Sequence, residues 1–184
     1  MKFIELESER LTYRKFNNND FPEIFDMLKC PESMRYRREP HNEAESRDFM
    51  QWAISNAEAD ECKNFTYAAV QKDNNAFIGW AMLLDTPRNP GIGWSVRKNY
   101  WRQGYGTEMG ETMLRLGFDE LNLHRIIAKC HALNIASYKI MEHIGMRREA
   151  YFIKSTKGNS MLNYEWCDEV QYAILQEEWH ICKK

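Results

Sequence analysis

GIGWSVRKNYWRQGYGTEMGETML, residues 91–114, changes character twice. Its first six residues read as a short strand, and from about residue 107 the segment reads as an amphipathic helix running to residue 121. Between the two stands RQGYGT, which puts two glycines and an arginine where the helix should begin. A helix that starts so bare leaves its first backbone N–H groups unpaired at the positive end of the dipole, and small residues let an anion approach them closely. Hydrogen bonds to a charged group contribute roughly 1.5 to 3 kcal/mol each, so a few such amides could hold a pyrophosphate without a large basic patch. Arg102, with Arg97 and Lys98, adds charge nearby. The plainer alternative is that Gly104 and Gly106 merely make a tight strand-to-helix turn. The motif is not the Gly-x-Gly-x-x-Gly of dinucleotide folds, because Met109 stands at its last position, and no Walker lysine follows.

Outward from this segment the period of the sequence gives the architecture. FTYAAV (65–70), AFIGWAMLL (76–84) and GIGWSV (91–96) are strand-like runs separated by the turn-rich QKDNN and DTPRNP, which predicts an antiparallel meander. Downstream lie the apolar run RIIAKCHAL (125–133), a helix over 136–144 stopped by Gly145, and strands over 147–154 and 164–175. Upstream, LTYRKF (11–16) alternates as a first strand, and Asn19 or Asp20 opens a helix to residue 28 with Phe21, Ile24, Phe25 and Leu28 on its apolar face. A second helix covers 43–59, burying Phe49, Met50, Trp52, Ala53 and Ile54, and the segment PESMRYRREP between the two reads as basic and irregular. The expected fold is α/β (α+β): one mixed, mostly antiparallel sheet of about seven strands with helices on both faces. No repeat, low-complexity tract or linker divides the chain, so residues 1–184 are expected to form one domain.

Composition narrows the function classes. The chain carries 25 Lys and Arg against 27 Asp and Glu over 184 residues, a net charge of −2, which argues against nucleic acid or an anionic membrane as partner. Acidic residues occupy MKFIELESER where a signal peptide would need an apolar core, and FIGWAMLL is too short to span a bilayer, so a cytoplasmic location is expected. Cys30, Cys62, Cys130, Cys167 and Cys182 are odd in number and widely spaced, which suggests idle thiols and no metal site.

Taken together, GIGWSV, WRQGYGTE and RIIAKCHALNIASYKIMEHIGMRRE resemble the GNAT superfamily of acetyl-CoA-dependent N-acetyltransferases, and among them the ribosomal-protein N-terminal acetyltransferases of RimJ/RimL type. The resemblance runs over nearly the whole chain and implies a sheet whose central strands splay apart around the cosubstrate. It implies that the backbone amides of Arg102, Gln103, Gly104, Tyr105, Gly106 and Thr107 hold the CoA pyrophosphate, and that Trp94, Ser95 and Val96 pair with the pantetheine arm. Asn134, which on its own reads as an ordinary helix N-cap, then bonds the pantetheine or orients the thioester.

For the chemistry, a backbone N–H near Val96 would meet the thioester oxygen. Much of the superfamily donates a proton to the leaving sulfur from a tyrosine on the helix after the asparagine; Met141 stands there in this chain, and Ser137 is the donor suggested by the RimJ/RimL resemblance. The glutamate that many relatives carry near Gly91 is missing too, leaving Asp85 as a base acting through water, or else a plain turn former. His124, His131 and His143 are further chemical options. Weak base provision suits an amine of low pKa, so the expected acceptor is a protein or peptide N-terminal α-amine; small-molecule amines, or a non-catalytic acyl-CoA sensor, are the alternatives. Arg35, Tyr36 and Arg37 in SMRYRRE would recognise acidic groups of the acceptor, unless Glu32 and Glu39 simply balance a solvated basic loop. The expected assembly is a monomer or homodimer.

Overall fold

The computed structural model describes residues 2–59, 61–84 and 90–182, apart from the side chain of Cys182. Its strands are β1 (Leu6–Glu7), β2 (Leu11–Arg14), β3 (Asn64–Gln71), β4 (Phe77–Leu84), β5 (Gly91–Val96), β6 (Arg125–His131), β7 (Arg147–Lys157) and β8 (Trp166–Leu175). They form one eight-stranded sheet in the order β1-β2-β3-β4-β5-β6-β8-β7, antiparallel throughout except between β5 and β6. The strand beyond the expected number is β1, whose two residues are too few to show a period.

Six helices cover the sheet: α1 (Phe21–Leu28), α2 (Pro31–Met34), α3 (Glu43–Glu58), α4 (Tyr105–Arg115), α5 (Ile135–His143) and α6 (Gln176–Cys182). Local chemistry fixes their starts. Asn42 Oδ1 accepts the Glu45 N–H at 2.9 Å while Glu45 Oε2 accepts the Asn42 N–H at 2.8 Å, a reciprocal cap for α3. The segment expected to be irregular contains α2, a single turn with Pro31 in its first position, where the missing N–H costs nothing. Helix α4 passes into a π turn over Leu116–Glu120, closed by Leu121 N–H to Leu116 C=O at 3.0 Å, which replaces the longer continuous helix the periodicity predicts.

At β3 and β4 the sheet is buried on both faces, which explains why they read as unbroken apolar runs, whereas β7 at the far edge is largely exposed. On β3, Phe65, Tyr67 and Ala69 face the layer of α4 and α5, whereas Ala68 and Val70 face α1 and α3. On β4 the alternation slips. Val70 opposes Phe77 but Ala69 opposes Gly79, so β4 carries one extra residue at Ile78, a bulge that puts Phe77 and Trp80 in the same layer. Gly79 is required beside it, because a Cβ there would lie 2.0 Å from the Ser95 carbonyl oxygen.

Beyond this bulge the sheet opens. β5 runs parallel to β6, but among the described residues the two share a register pair only at Gly91 and Ile127, with Ile127 N–H donating to Pro90 C=O at 2.9 Å. The rest of β5 pairs with β4 and has no strand on its other side. Alternate backbone groups of β5 therefore point into a gap, not at a neighbouring strand.

Gly79→Ala should destabilise the protein by about 1–3 kcal/mol, because the strand carrying Ser95 must move to admit the methyl group. Urea denaturation reads this directly; an unchanged midpoint would show that the β4–β5 contact is looser than the geometry requires.

Candidate active site

Two helices, α4 and α5, follow the strands that border the gap, and their starts carry the candidate residues. At the first, Gly104 precedes α4 in the left-handed region, φ 83°, and Arg102 also has positive φ, at 60°. A Cβ at Gly104 would be strained whatever the space around it. The first helical bond runs from Glu108 N–H to Gly104 C=O at 3.1 Å, and no side chain caps the terminus. The amides of Tyr105, Gly106 and Thr107 thus precede the first hydrogen-bonded turn of α4, where helix N–H groups are left without an intrahelical partner.

This turn is held by residues that no local pattern in the sequence marks. Arg10 Nη1 donates to Gln103 C=O at 2.9 Å, and the guanidinium lies 4.2 Å over the Tyr105 ring. Glu108 accepts from Ser8 Oγ at 2.6 Å, from Arg10 N–H at 2.8 Å and from Arg10 Nε at 2.8 Å. Burial alone would raise the Glu108 carboxyl, but the bonds from Ser8 and Arg10 outweigh it and hold the pKa below the ordinary value.

Gly106 has a second reason to be glycine. A Cβ there would lie 2.7 Å from Ile140 Cδ1, and one at Gly110 would meet Ile144 Cδ1 at 3.0 Å and Trp94 Cζ3 at 3.3 Å. The two glycines make a shallow groove along α4 that seats the Trp94 indole and α5. Trp94 thereby faces α4, the Ser95 carbonyl faces Gly79, and the Val96 carbonyl accepts the Trp101 indole N–H at 2.6 Å.

The second helix start is α5. Asn134 Oδ1 accepts the Ser137 N–H at 3.2 Å, so the residue is an N-cap, and its Nδ2 has no partner among the described residues. A cavity of about 400 Å³ fills the gap and passes through the sheet, lined by Trp80, Gly93, Trp94, Asn134, Ser137 and Met141. The Ser137 hydroxyl lies beside Cys130, whose thiol is pushed up to about 11 by burial against the opposing effect of that hydroxyl. Cys130 is therefore a neutral thiol at pH 7 and a poor nucleophile.

A second cavity of about 320 Å³ adjoins the first, and Tyr36, Arg37, Lys129 and Cys130 line both. Tyr36 packs its ring 5.4 Å from that of His131, and Arg37 lies 4.5 Å over the Trp80 ring. Arg35 instead covers the outer side of Tyr36, at 5.5 Å, and lines neither cavity. Among the described residues lining the larger of these two cavities there is no carboxylate. Asp85 lies outside the described residues. His131 is unsuited as a base, because its Nδ1 already accepts the Leu133 N–H at 3.0 Å and burial holds its pKa down against Asp168 and Glu169. His143 borders a wider cavity of about 810 Å³ on the outer side of α4. That cavity touches the α4 turn at Gly104 and Thr107 but contains neither Asn134 nor Ser137, so the smaller one through the sheet is the candidate reaction centre.

A family model described as an acetyltransferase (GNAT) domain matches residues 10–147. An uncharacterized N-acetyltransferase of Bacillus subtilis strain 168, YnaD, is 34% identical over 181 residues, covering 96% of this chain and 100% of its own. The crystal structure of a GNAT-family acetyltransferase from Bacillus anthracis superposes with a TM-score of 0.83 at 32% identity, over 95% of this chain and 99% of that one. At the level of fold alone, the chain is also similar to RimL, a ribosomal L7/L12 alpha-N-protein acetyltransferase in complex with CoA, with a TM-score of 0.78 at 15% identity over 94% of this chain and 98% of that one. The spermidine N-acetyltransferase of Vibrio cholerae, in complex with CoA and spermine, superposes equally well, with a TM-score of 0.79 at 18% identity over 94% and 99%.

Arg10→Ala should weaken CoA binding about tenfold, since it frees the Gln103 carbonyl and strips Glu108 of its cation. Calorimetric titration measures this, and unchanged affinity would show that the turn stands without Arg10. Glu108 has a depressed folded pKa, so its contribution to stability is present above the ordinary carboxylate range and disappears as pH falls through the folded value. The stability gap between wild type and variant should therefore close in acid.

Proposed function

The chain belongs to the acetyltransferase (GNAT) family, and from that premise we propose that it transfers acetyl groups to an α-amine, the N-terminal amine of a protein or peptide, as RimJ/RimL-type enzymes do. That it is an acyl-CoA-dependent N-acetyltransferase follows from the family. The choice of acceptor rests on one observation: among the described residues the reaction cavity holds no carboxylate and no histidine.

The amine must lose a proton before it attacks. At pH 7 this costs about 4 to 5 kcal/mol for a lysine of pKa about 10.4 and about 1 kcal/mol for an α-amine of pKa about 8. A cavity without a base favours the second. In this reading the α-amine nitrogen forms its bond to the thioester carbonyl carbon, the carbon–sulfur bond breaks, and the proton shed by the amine leaves to water. The amides of Arg102 through Thr107 hold the pyrophosphate. The strand edge at Trp94, Ser95 and Val96 receives the pantetheine, and a backbone N–H near Val96 supports the developing oxyanion. Asn134 offers its free Nδ2 to the pantetheine amide while its Oδ1 keeps α5 in place, and Ser137 Oγ donates to the departing sulfur. Cys130, kept protonated by burial, takes no acyl group, which supports direct transfer in a ternary complex. Tyr36 and Arg37 stand on the acceptor side. No helix among the described residues is long and apolar enough to cross a membrane, which fits the cytoplasmic role included in this proposal.

Turnover should favour short peptides with free N-termini over lysine peptides with blocked N-termini by at least about tenfold, and kcat/KM should rise with pH through the pKa of the α-amine, about 8. Ser137→Ala should lower kcat about ten- to hundredfold with little change in the KM for acetyl-CoA. Faster acetylation of lysine or spermidine than of peptide α-amines contradicts the proposed acceptor.

A further inference from the structure

We propose that the acceptor carries an anionic group, a carboxylate or phosphate, close to its amine, and that Arg37 receives that group. The inference rests on the reading that the acceptor amine enters through the cavity on the Arg37 side of the gap.

Arg37 stands where the two cavities meet, with its guanidinium 4.5 Å over the ring of Trp80, a side chain fixed in the core at 1% exposure. The guanidinium thus sits over the indole while Arg37 lines both cavities. Among the described residues no carboxylate and no hydrogen-bond acceptor pairs with this side chain. The two acids flanking it in the sequence are committed elsewhere. Glu32 accepts from Lys98 Nζ at 2.9 Å, and Glu39 holds the Ser160 hydroxyl at 2.6 Å.

The surroundings are cationic as well. Arg37, Arg38, Lys129 and Lys157 line the smaller cavity together with a single described carboxylate, Glu169, although the whole chain has a net charge of −2. Arg37 is open to solvent in the cavity, and partial desolvation by the protein atoms around it, then the neighbouring Arg38, lower its guanidinium to about 10, so it remains charged at pH 7 and gains from an incoming anion. The planar fork of N–H donors of a guanidinium favours bidentate carboxylate or phosphate. Lys129 and Cys130 line the same junction, and Cys130 is beside Ser137, so an anion on Arg37 places a neighbouring amine next to the candidate thioester end. The same cluster repels polycations, which sets this cavity against a polyamine acceptor.

The test titrates the CoA-saturated protein calorimetrically with peptide pairs that differ in one group: Glu against Gln, and phosphoserine against serine, at the first or second residue. Turnover with acetyl-CoA is measured on the same pairs, and a blocked-N-terminus set carries lysine beside Glu or Gln. The anionic member should bind about ten- to hundredfold more tightly and show the lower KM. Arg37→Gln should collapse that ratio to near one, and Arg37→Lys should restore part of it. Stronger binding of phosphoserine than of Glu would identify phosphate as the natural group. Equal binding within every pair, or no measurable binding of any anionic member, overturns the proposal, as does an Arg37→Gln variant that weakens both members equally, the signature of a packing role on Trp80. A preference for the anion confined to the blocked lysine peptides would leave this inference standing and overturn the α-amine acceptor.

Discussion

The parting of β5 from β6 beyond the Gly91–Ile127 pair organises the molecule. A parallel pair that stays together would satisfy its own backbone groups and close the sheet; this one separates after a single shared position. On one side the Ile78 bulge and the close approach of Ser95 to Gly79 turn β5. On the other, Trp94 seats in the groove left by Gly106 and Gly110, tying the diverging strand to α4. Beyond Gly91 the outer edge of β5 faces the gap without a neighbouring strand, so its main chain offers hydrogen-bonding groups to what enters there.

The two helices that follow the parting strands each begin beside a cavity of their own, α5 at the one through the sheet and α4 at the wider one on its outer side. The bare start of α4 supplies backbone donors for an anion, and the capped start of α5 supplies a fixed asparagine and serine at the other end. The long-range bonds of Arg10 to Gln103 and Glu108 keep the first start rigid, and Asn134 keeps the second. Charge is arranged locally in a chain that is nearly neutral as a whole. Cations gather around Arg37, while the described residues of the reaction cavity include no carboxylate, no histidine and no reactive thiol. Such a cavity can position and polarise but leaves deprotonation to the acceptor's own acidity.

Much of this was legible in the sequence because it rests on local signals. The β3–β4–β5 meander follows from apolar runs between turn-rich segments, and the unusual start of α4 follows from its glycines. Asn134 was legible twice over, as a cap and as part of a family resemblance, and the structure gives its two amide ends separate positions. The rest depends on distance along the chain. Arg10 and Glu108 are far apart in sequence, and nothing near either one signals the other. Gly106 reads as a turn residue until Ile140 and Trp94 are seen beside it. Glu32 and Glu39 look like counterions for the neighbouring arginines, yet folding gives them to Lys98 and Ser160. Helix α4 starts earlier than its periodicity suggests, because Gly104 adopts the left-handed conformation and Tyr105 already belongs to the helix.

The most direct test is backbone amide hydrogen exchange with and without CoA. The account predicts slower exchange, on binding, in residues 92–96, 102–108 and 130–138, the edge of the gap and the two helix starts, with little change in 64–71. Slowing confined to the outer side of α4 around Arg115 and His143, with the gap unaffected, would contradict it.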